Sequence, residues 1–363
     1  MDIGVPKERR PYEFRVGLTP SSVRALTGLK HRVYIEKDAG AAAGFSNDSY
    51  ERAGGIIAYD SDEIYGRPDL LVKFSRPTYS EIQLMKEGII VVGFLHFHAS
   101  KRDKIELIVR RKISALSCEL LEEHGEFTVL GAVSSLAGQM TPAIAAQCLN
   151  NLHGGSGILM GGAPGIPPAE VVVVGCGNAG SESARFFANA GAQVTVLDRD
   201  LSRLKSIYRS LYCSGKIITM LSTQSNLEKT ARFADVLVLA AQIPGKRSPI
   251  VITEEMVKTM KQKSVIIDLA VDQGGNCETS HPTTHSSPTF EKHGVIHYCV
   301  PNMTSIVART SSYAYNNALL PYLIKLVSED SRKALESDPI LSRAVVTLEG
   351  TIIHPSLKER LRE

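Results

Sequence analysis

Val171-Val172-Val173-Val174-Gly175-Cys176-Gly177-Asn178-Ala179-Gly180 decides the fold, because four consecutive valines run straight into Gly-x-Gly-x-x-Gly and a helical pattern opens at once. An unbroken run of β-branched residues reads as a buried strand. Gly175 permits the tight turn, Gly177 lets the backbone approach a pyrophosphate, and Gly180 allows the helix to pack closely on the strand. Asn178, Ala179 and Gly180 are expected at the cofactor with them, and the helix that opens at Gly180 faces the phosphates with free N–H groups and a partial positive charge. The next strand, 193–197, ends at Asp198, where a carboxylate accepts hydrogen bonds from the adenosine ribose and repels the 2′-phosphate of NADP. NAD is the expected cofactor, and Arg199 is the neighbour that could accommodate the extra phosphate.

The β/α alternation continues on both sides of this stretch. Before it, the pattern predicts strands at 3–5, 32–35, 70–73, 89–95 and 113–116, with helices at 20–27, 79–85 and 101–110. Residues 134–152 turn helical, and 153–165 hold too many glycines for regular structure, which puts a domain boundary nearby. After the glycine loop come helices at 180–189 and 201–211 and strands at 236–239 and 264–268. Beyond Pro301 a long helical stretch at 307–327 is expected to break at Pro321, and the tail from Asp330 reads as helix and loop returning to the first lobe.

The composition fits that picture. A chain of 363 residues exceeds what one hydrophobic core organises well, so two lobes are expected. Hydrophobic residues at 43% and charged residues at 22% describe a globular chain folded over most of its length. The net charge of +3 comes from 41 basic and 38 acidic residues spread evenly, which leaves no electrostatic footprint for nucleic acid or an anionic membrane and favours a small-molecule partner. Cys118, Cys148, Cys176, Cys213, Cys277 and Cys299 lack the close pairs of a zinc site and the spacing of a disulfide framework, so a reducing, cytoplasmic compartment is expected. The amino terminus lacks the features of a secretory signal. Residues 158–174 come nearest to a membrane span, but three glycines, three prolines and Glu170 interrupt them, and no segment is expected to cross a bilayer.

Other segments carry a family resemblance. Gly4-Val5-Pro6-Lys7-Glu8 with Arg15-Val16-Gly17-Leu18-Thr19-Pro20, Gly161-Gly162-Ala163-Pro164-Gly165, Asp268-Leu269-Ala270-Val271-Asp272-Gln273-Gly274-Gly275 and Tyr298-Cys299-Val300-Pro301-Asn302-Met303 resemble the alanine dehydrogenase and transhydrogenase α-subunit family. The resemblance implies an α/β chain of two Rossmann-like domains. A central NAD-binding domain, 134–303, is inserted into a substrate domain made of 1–133 and 304–363. It also implies a homohexamer and NAD-dependent oxidation of L-alanine to pyruvate and ammonia.

Roles follow from matching positions. Arg15 matches the family's carboxylate-binding arginine, a task its planar fork suits. His96 matches the histidine that handles protons near neutral pH, with His98 as a rival, and Asp272 matches the catalytic aspartate. Ser134, Leu269, Asn302 and Met303 match positions lining the cofactor or substrate. No metal is expected, since His281 and His285 lack further ligands at zinc spacing.

The pattern breaks at Lys73-Phe74-Ser75-Arg76-Pro77, where the family reads Lys-Val-Lys-Glu-Pro and its second lysine contacts substrate. Ser75 stands in that lysine's place; Lys73 and Ser75 are expected at the substrate, with Arg76 as the other flanking cation. Cys118 and Gln139 depart from the family's tyrosine and arginine. The alternatives are a relative reducing another oxo acid or imine, including the carboxyalkyl amino-acid type, and a catalytically weakened NAD-binding homologue.

Overall fold

The structure, a computed structural model, describes residues 1–97, 100–211, 217–242, 247–328, 330–355, 357 and 358. The strands are β1 (Asp2–Val5), β2 (Arg32–Glu36), β3 (Ile56–Ala58), β4 (Leu70–Ser75), β5 (Ile90–Phe94), β6 (Ser114–Ser117), β7 (Glu122–Glu123) and β8 (Glu126–Phe127). They continue with β9 (Glu170–Val174), β10 (Gln193–Asp198), β11 (Ile217–Leu221), β12 (Val236–Leu239), β13 (Val265–Asp268), β14 (Thr289–Lys292), β15 (Val295–Tyr298), β16 (Val345–Leu348) and β17 (Thr351–Ile352). The chain divides into two compact units, Met1–Val133 with Thr304–Glu363, and Ser134–Met303.

The first unit is built on a sheet of order β17-β16-β6-β5-β4-β1-β2-β3. Strands β1 to β6 pair in parallel, whereas β16 runs antiparallel to β6 and β17 antiparallel to β16. The tail is therefore not only helix and loop. Val345, Val346 and Thr347 are buried β-branched residues that extend the sheet. Glu349 and Gly350, both at positive φ, make the two-residue turn that returns the chain as β17.

The helix Ala308–Ser328 also corrects an expectation, because it runs through Pro321 without a break. The carbonyl that Pro321 leaves unpaired belongs to Asn317, and both residues are exposed, so water can serve it. Burial of Tyr315, Leu319, Tyr322, Leu323 and Leu326 holds the helix on either side.

This helix explains the motif around Arg15. Residues 16–19 are buried and lie outside any strand, so their backbone groups need side-chain partners. Val16 N–H donates to Ser312 Oγ at 3.1 Å and Thr19 N–H to Asn316 Oδ1 at 3.0 Å, while Asn316 Nδ2 donates to Gly17 O at 3.2 Å. A Cβ on Gly17 would lie 2.1 Å from Val72 O, so only glycine lets the segment pass β4. Arg15 is thereby fixed beside the carboxyl end of β4.

The second unit has the order β11-β10-β9-β12-β13-β15-β14, parallel except for β14. The chain runs outward one way from β9 to β11 and then crosses back to β12. The topological switch thus falls at β9, where doubly wound sheets receive dinucleotides. Among the described residues one helix, Thr128–Leu149, is long and apolar enough to cross a bilayer. Within the second unit its Thr141 hydroxyl is 2.7 Å from Ser183 Oγ, and Gly138 comes so near Ala179 O that a Cβ would lie 2.1 Å away.

Candidate functional site

The second unit's glycine loop separates packing glycines from an open one. Gly175 sits at φ +98°, and a Cβ there would meet the Ala240 backbone at 2.7 Å. A Cβ on Gly180 would lie 1.8 Å from Gly175 O. A Cβ on Gly177 would meet nothing nearer than Arg203 Nη1 at 3.9 Å, so this loop has the open cradle that a pyrophosphate needs. Gly177 caps the helix Asn178–Asn189, placing Asn178, Ala179 and Gly180 in its first turn. Arg203, not singled out in the sequence, adds a cation there.

Asp198 is clamped to the same loop. Its Oδ2 accepts from Cys176 N–H at 2.6 Å and its Oδ1 from Asp200 N–H at 2.9 Å. Each carboxylate oxygen can accept again, which leaves one position on each for the ribose hydroxyls. Asp198→Ala is expected to weaken NADH binding about tenfold to a hundredfold, the worth of one charged hydrogen bond at about 1.5–3 kcal/mol. It should also narrow the preference over NADPH. Parallel titrations of both cofactors check this, and native protein that binds NADPH more tightly would give the 2′-phosphate to Arg199 or Arg203.

Asp272 lies in a single turn, Val271–Gln273, after β13, and is exposed. The turn itself is closed by buried Asp268, which accepts from Ala270 N–H at 3.0 Å, Asn276 N–H at 2.8 Å and Cys277 N–H at 3.3 Å. Leu269 and buried Met303 pack on this unit's core, Asn302 adopts φ +52°, and Ser134 is half-buried on the helix Thr128–Leu149. Among the described residues no three His, Cys, Asp or Glu are grouped to hold a metal ion.

The first unit gathers Arg15, Lys73, Ser75 and His96 around an aromatic slab. The Arg15 guanidinium lies 3.9 Å over the Phe74 ring, Phe74 packs on Phe94 at 5.5 Å, and Phe94 stacks on His96 at 6.0 Å. Tyr315 closes the slab at 4.5 Å from Phe74, and its hydroxyl donates to Lys73 O and lies 3.4 Å from Cys118 Sγ. Arg15 gives Nε–H to Glu13 Oε1 at 2.6 Å, Nη2–H to Glu13 Oε2 at 2.5 Å and Nη1–H to Thr304 Oγ1 at 2.8 Å.

His96 stands just past β5 at φ +41°, a conformation that costs about 1–3 kcal/mol unless its surroundings impose it. Glu119 imposes it. This buried carboxylate accepts Leu95 N–H at 3.2 Å and His96 N–H at 2.7 Å, and its Oε1 lies 3.6 Å from His96 Nδ1. His98 lies outside the described residues.

Ser75 and Lys73 share one buried ionic cluster. Ser75 Oγ donates to Glu8 Oε2 at 2.6 Å, and Glu8 Oε1 accepts Phe74 N–H at 2.7 Å. The Lys73 ammonium, wholly buried, bridges Glu8 at 3.0 Å and Glu81 at 2.7 Å. Glu81 also accepts from the Tyr65 hydroxyl and Thr78 N–H, both at 2.6 Å. Burial pushes the Glu8 carboxyl up, and the neighbouring ammonium offsets only part of this. Burial pulls Lys73 down, but Glu8 and Glu81 more than reverse it, so lysine stays charged. Lys73, expected at the substrate, is thus committed to two carboxylates.

Glu8, Glu13 and Glu119 were missed as site residues. Glu8 closes the first quoted motif and Glu13 lies just before Arg15, but Glu8 meets its partners 66 and 67 residues along the chain, and Glu119 meets His96 across 23. No local spacing announces such pairs.

The family descriptions "Alanine dehydrogenase/PNT, N-terminal domain" and "Alanine dehydrogenase/PNT, C-terminal domain" match residues 4–137 and 141–355. The chain belongs to the alanine dehydrogenase/PNT family. It is 38% identical over 359 residues to an alanine dehydrogenase of Methanococcus maripaludis, covering 98% of this chain and 95% of that protein. It is 37% identical over 361 residues to alanine dehydrogenase 2 of Staphylococcus aureus, covering 99% and 96%. A solved L-alanine dehydrogenase superposes with a TM-score of 0.93 at 37% identity, over 100% of this chain and 99% of that one. A transhydrogenase of Sinorhizobium meliloti shares the fold, with a TM-score of 0.83 at 24% identity over 97% of this chain and 100% of that one.

Proposed function

We propose that this chain oxidises L-alanine with NAD and water to pyruvate, ammonia and NADH. The supporting observation is that Arg15 is buried and braced with donors to spare, at one end of the aromatic slab whose other end carries His96, in a chain that resembles alanine dehydrogenases over its full length. Arg15 holds the substrate carboxylate, so that Cα–H is aimed. NAD, held by the glycine loop and Asp198, would supply the acceptor for the Cα hydride. His96 then serves the imine: it takes a proton from the attacking water and returns one to the departing amine. Asp272, in the turn after β13, takes the second proton-handling role. Glycine-loop residues Gly175 to Gly180 and Asp198 hold the dinucleotide, while Ser134, Leu269, Asn302 and Met303 line its site. The assembly we propose is a homohexamer, which sedimentation would check.

Ser75 favours a second reading, an altered oxo-acid substrate, because it puts a hydroxyl bonded to Glu8 where a family lysine would bring an ammonium. Ser75→Lys separates the two. If alanine is the substrate, an added charged hydrogen bond worth about 1.5–3 kcal/mol raises kcat/KM for alanine about tenfold to a hundredfold. If the pocket suits another substrate, a screen of amino acids and oxo acids finds it, and the same change abolishes that activity without helping alanine.

A further inference from the structure

A guanidinium carries five N–H donors, and the fold uses three of those on Arg15, two on Glu13 and one on Thr304. One N–H remains on each terminal nitrogen, the number that the two oxygens of a carboxylate can take. The Phe74 ring covers one face of the guanidinium at 3.9 Å, and Glu13 is as deeply buried as its partner. The brace is local as well, since Arg15 N–H also donates to Glu13 Oε1 at 3.3 Å.

Two consequences follow from this arrangement. The fork cannot turn, so a bound carboxylate meets only the remaining N–H groups. The Arg15–Glu13 pair is also electrically neutral, so that carboxylate is held by directed hydrogen bonds rather than by an uncompensated buried cation.

We infer that Glu13 is a positioning residue for Arg15, which aims the amino acid for hydride transfer while loosening the grip on its carboxylate. The inference rests on the reading of Arg15 as the carboxylate holder. It gives Glu13 opposite effects on binding and turnover. Without the charge, an unbalanced guanidinium holds a carboxylate more tightly. Without the two-point brace the substrate is less well aimed, and a displacement of about 1 Å can cost about a hundredfold in rate.

The test uses the full-length protein and the variants Glu13→Gln and Glu13→Asp. Steady-state kinetics with L-alanine and NAD give kcat and KM, and calorimetry with pyruvate in the presence of NADH gives a binding constant free of turnover. Glu13→Gln should lower both KM and the pyruvate dissociation constant at least about threefold and lower kcat at least about tenfold. Glu13→Asp keeps the charge, so its KM should stay within about twofold of native, while its shorter arm shifts the fork and leaves kcat reduced.

A Gln variant with native kcat, or with weaker pyruvate binding, overturns the inference. If the Gln variant does not fold, native kcat in the Asp variant overturns it alone. Native protein that binds pyruvate but does not oxidise alanine overturns the alanine reading instead, and the order of pyruvate affinities still decides Glu13. Absence of pyruvate binding in native protein and variants overturns both.

Discussion

Replacing His96 with alanine is expected to lower kcat for alanine about 10²- to 10⁴-fold, the usual contribution of a positioned general acid–base. The hydration of the imine and the collapse of the carbinolamine each move a proton near neutral pH, and a histidine is suited to this. The geometry gives the ring one fixed orientation. Glu119 holds the 95–96 backbone, the left-handed φ turns the side chain off the β5 axis, and Phe94 stacks flat on it with only 10° between the planes. NADH binding should stay within a few-fold, because the glycine loop and Asp198 belong to the other unit. Steady-state kinetics and a fluorescence titration of NADH measure the two quantities on the same preparation. Should His98→Ala prove the more damaging change in a folded protein, the proton belongs to the other histidine.

Much of the fold was legible because the decisive signals are local. Four valines and three glycines specify strand, turn and helix within ten residues, and the glycine spacing corresponds to separate steric tasks at Gly175, Gly177 and Gly180. The errors came where a distant partner sets the outcome. Pro321 breaks a helix in isolation, yet tertiary packing and an exposed Asn317 carbonyl carry the helix through it. Strands β16 and β17 lie at a sheet edge that exists only once β6 is in place. Their signal was Val345-Val346-Thr347 before Glu349-Gly350, short enough to pass for loop. The site followed the same rule. Arg15 stands in a quoted motif and His96 at a matched position, but Glu119 and Glu8 acquire meaning only from what they touch. Lys73 reads from sequence as a cation available to substrate, and only the fold reveals the two carboxylates around it.

Those carboxylates make Lys73→Met costly for stability, with an expected loss of about 3–5 kcal/mol at pH 7. Methionine fills the volume but leaves Glu8 and Glu81 buried without a cation. Their remaining donors, Phe74 N–H, the Ser75 N–H and hydroxyl, the Tyr65 hydroxyl and Thr78 N–H, are neutral and replace only part of the lost interaction. The pH dependence identifies the cause. In the native protein burial raises Glu81, but Lys73 and its hydrogen bonds hold it below the ordinary 4.5, so its contribution is present above 4.5 and disappears as acid protonates it. Removing the ammonium reverses that sign, because burial then holds both folded-state carboxyls above 4.5. The variant's deficit should therefore be greatest at neutral pH and shrink as pH falls through those raised values towards 4.5, where both groups can fold protonated. Urea unfolding followed by circular dichroism at pH 7 and pH 5 measures the deficit at each. Adding Glu81→Gln to Lys73→Met should recover part of it at pH 7. A deficit below about 1 kcal/mol, or one equal at both pH values, would show that lost packing rather than two stranded carboxylates accounts for the change.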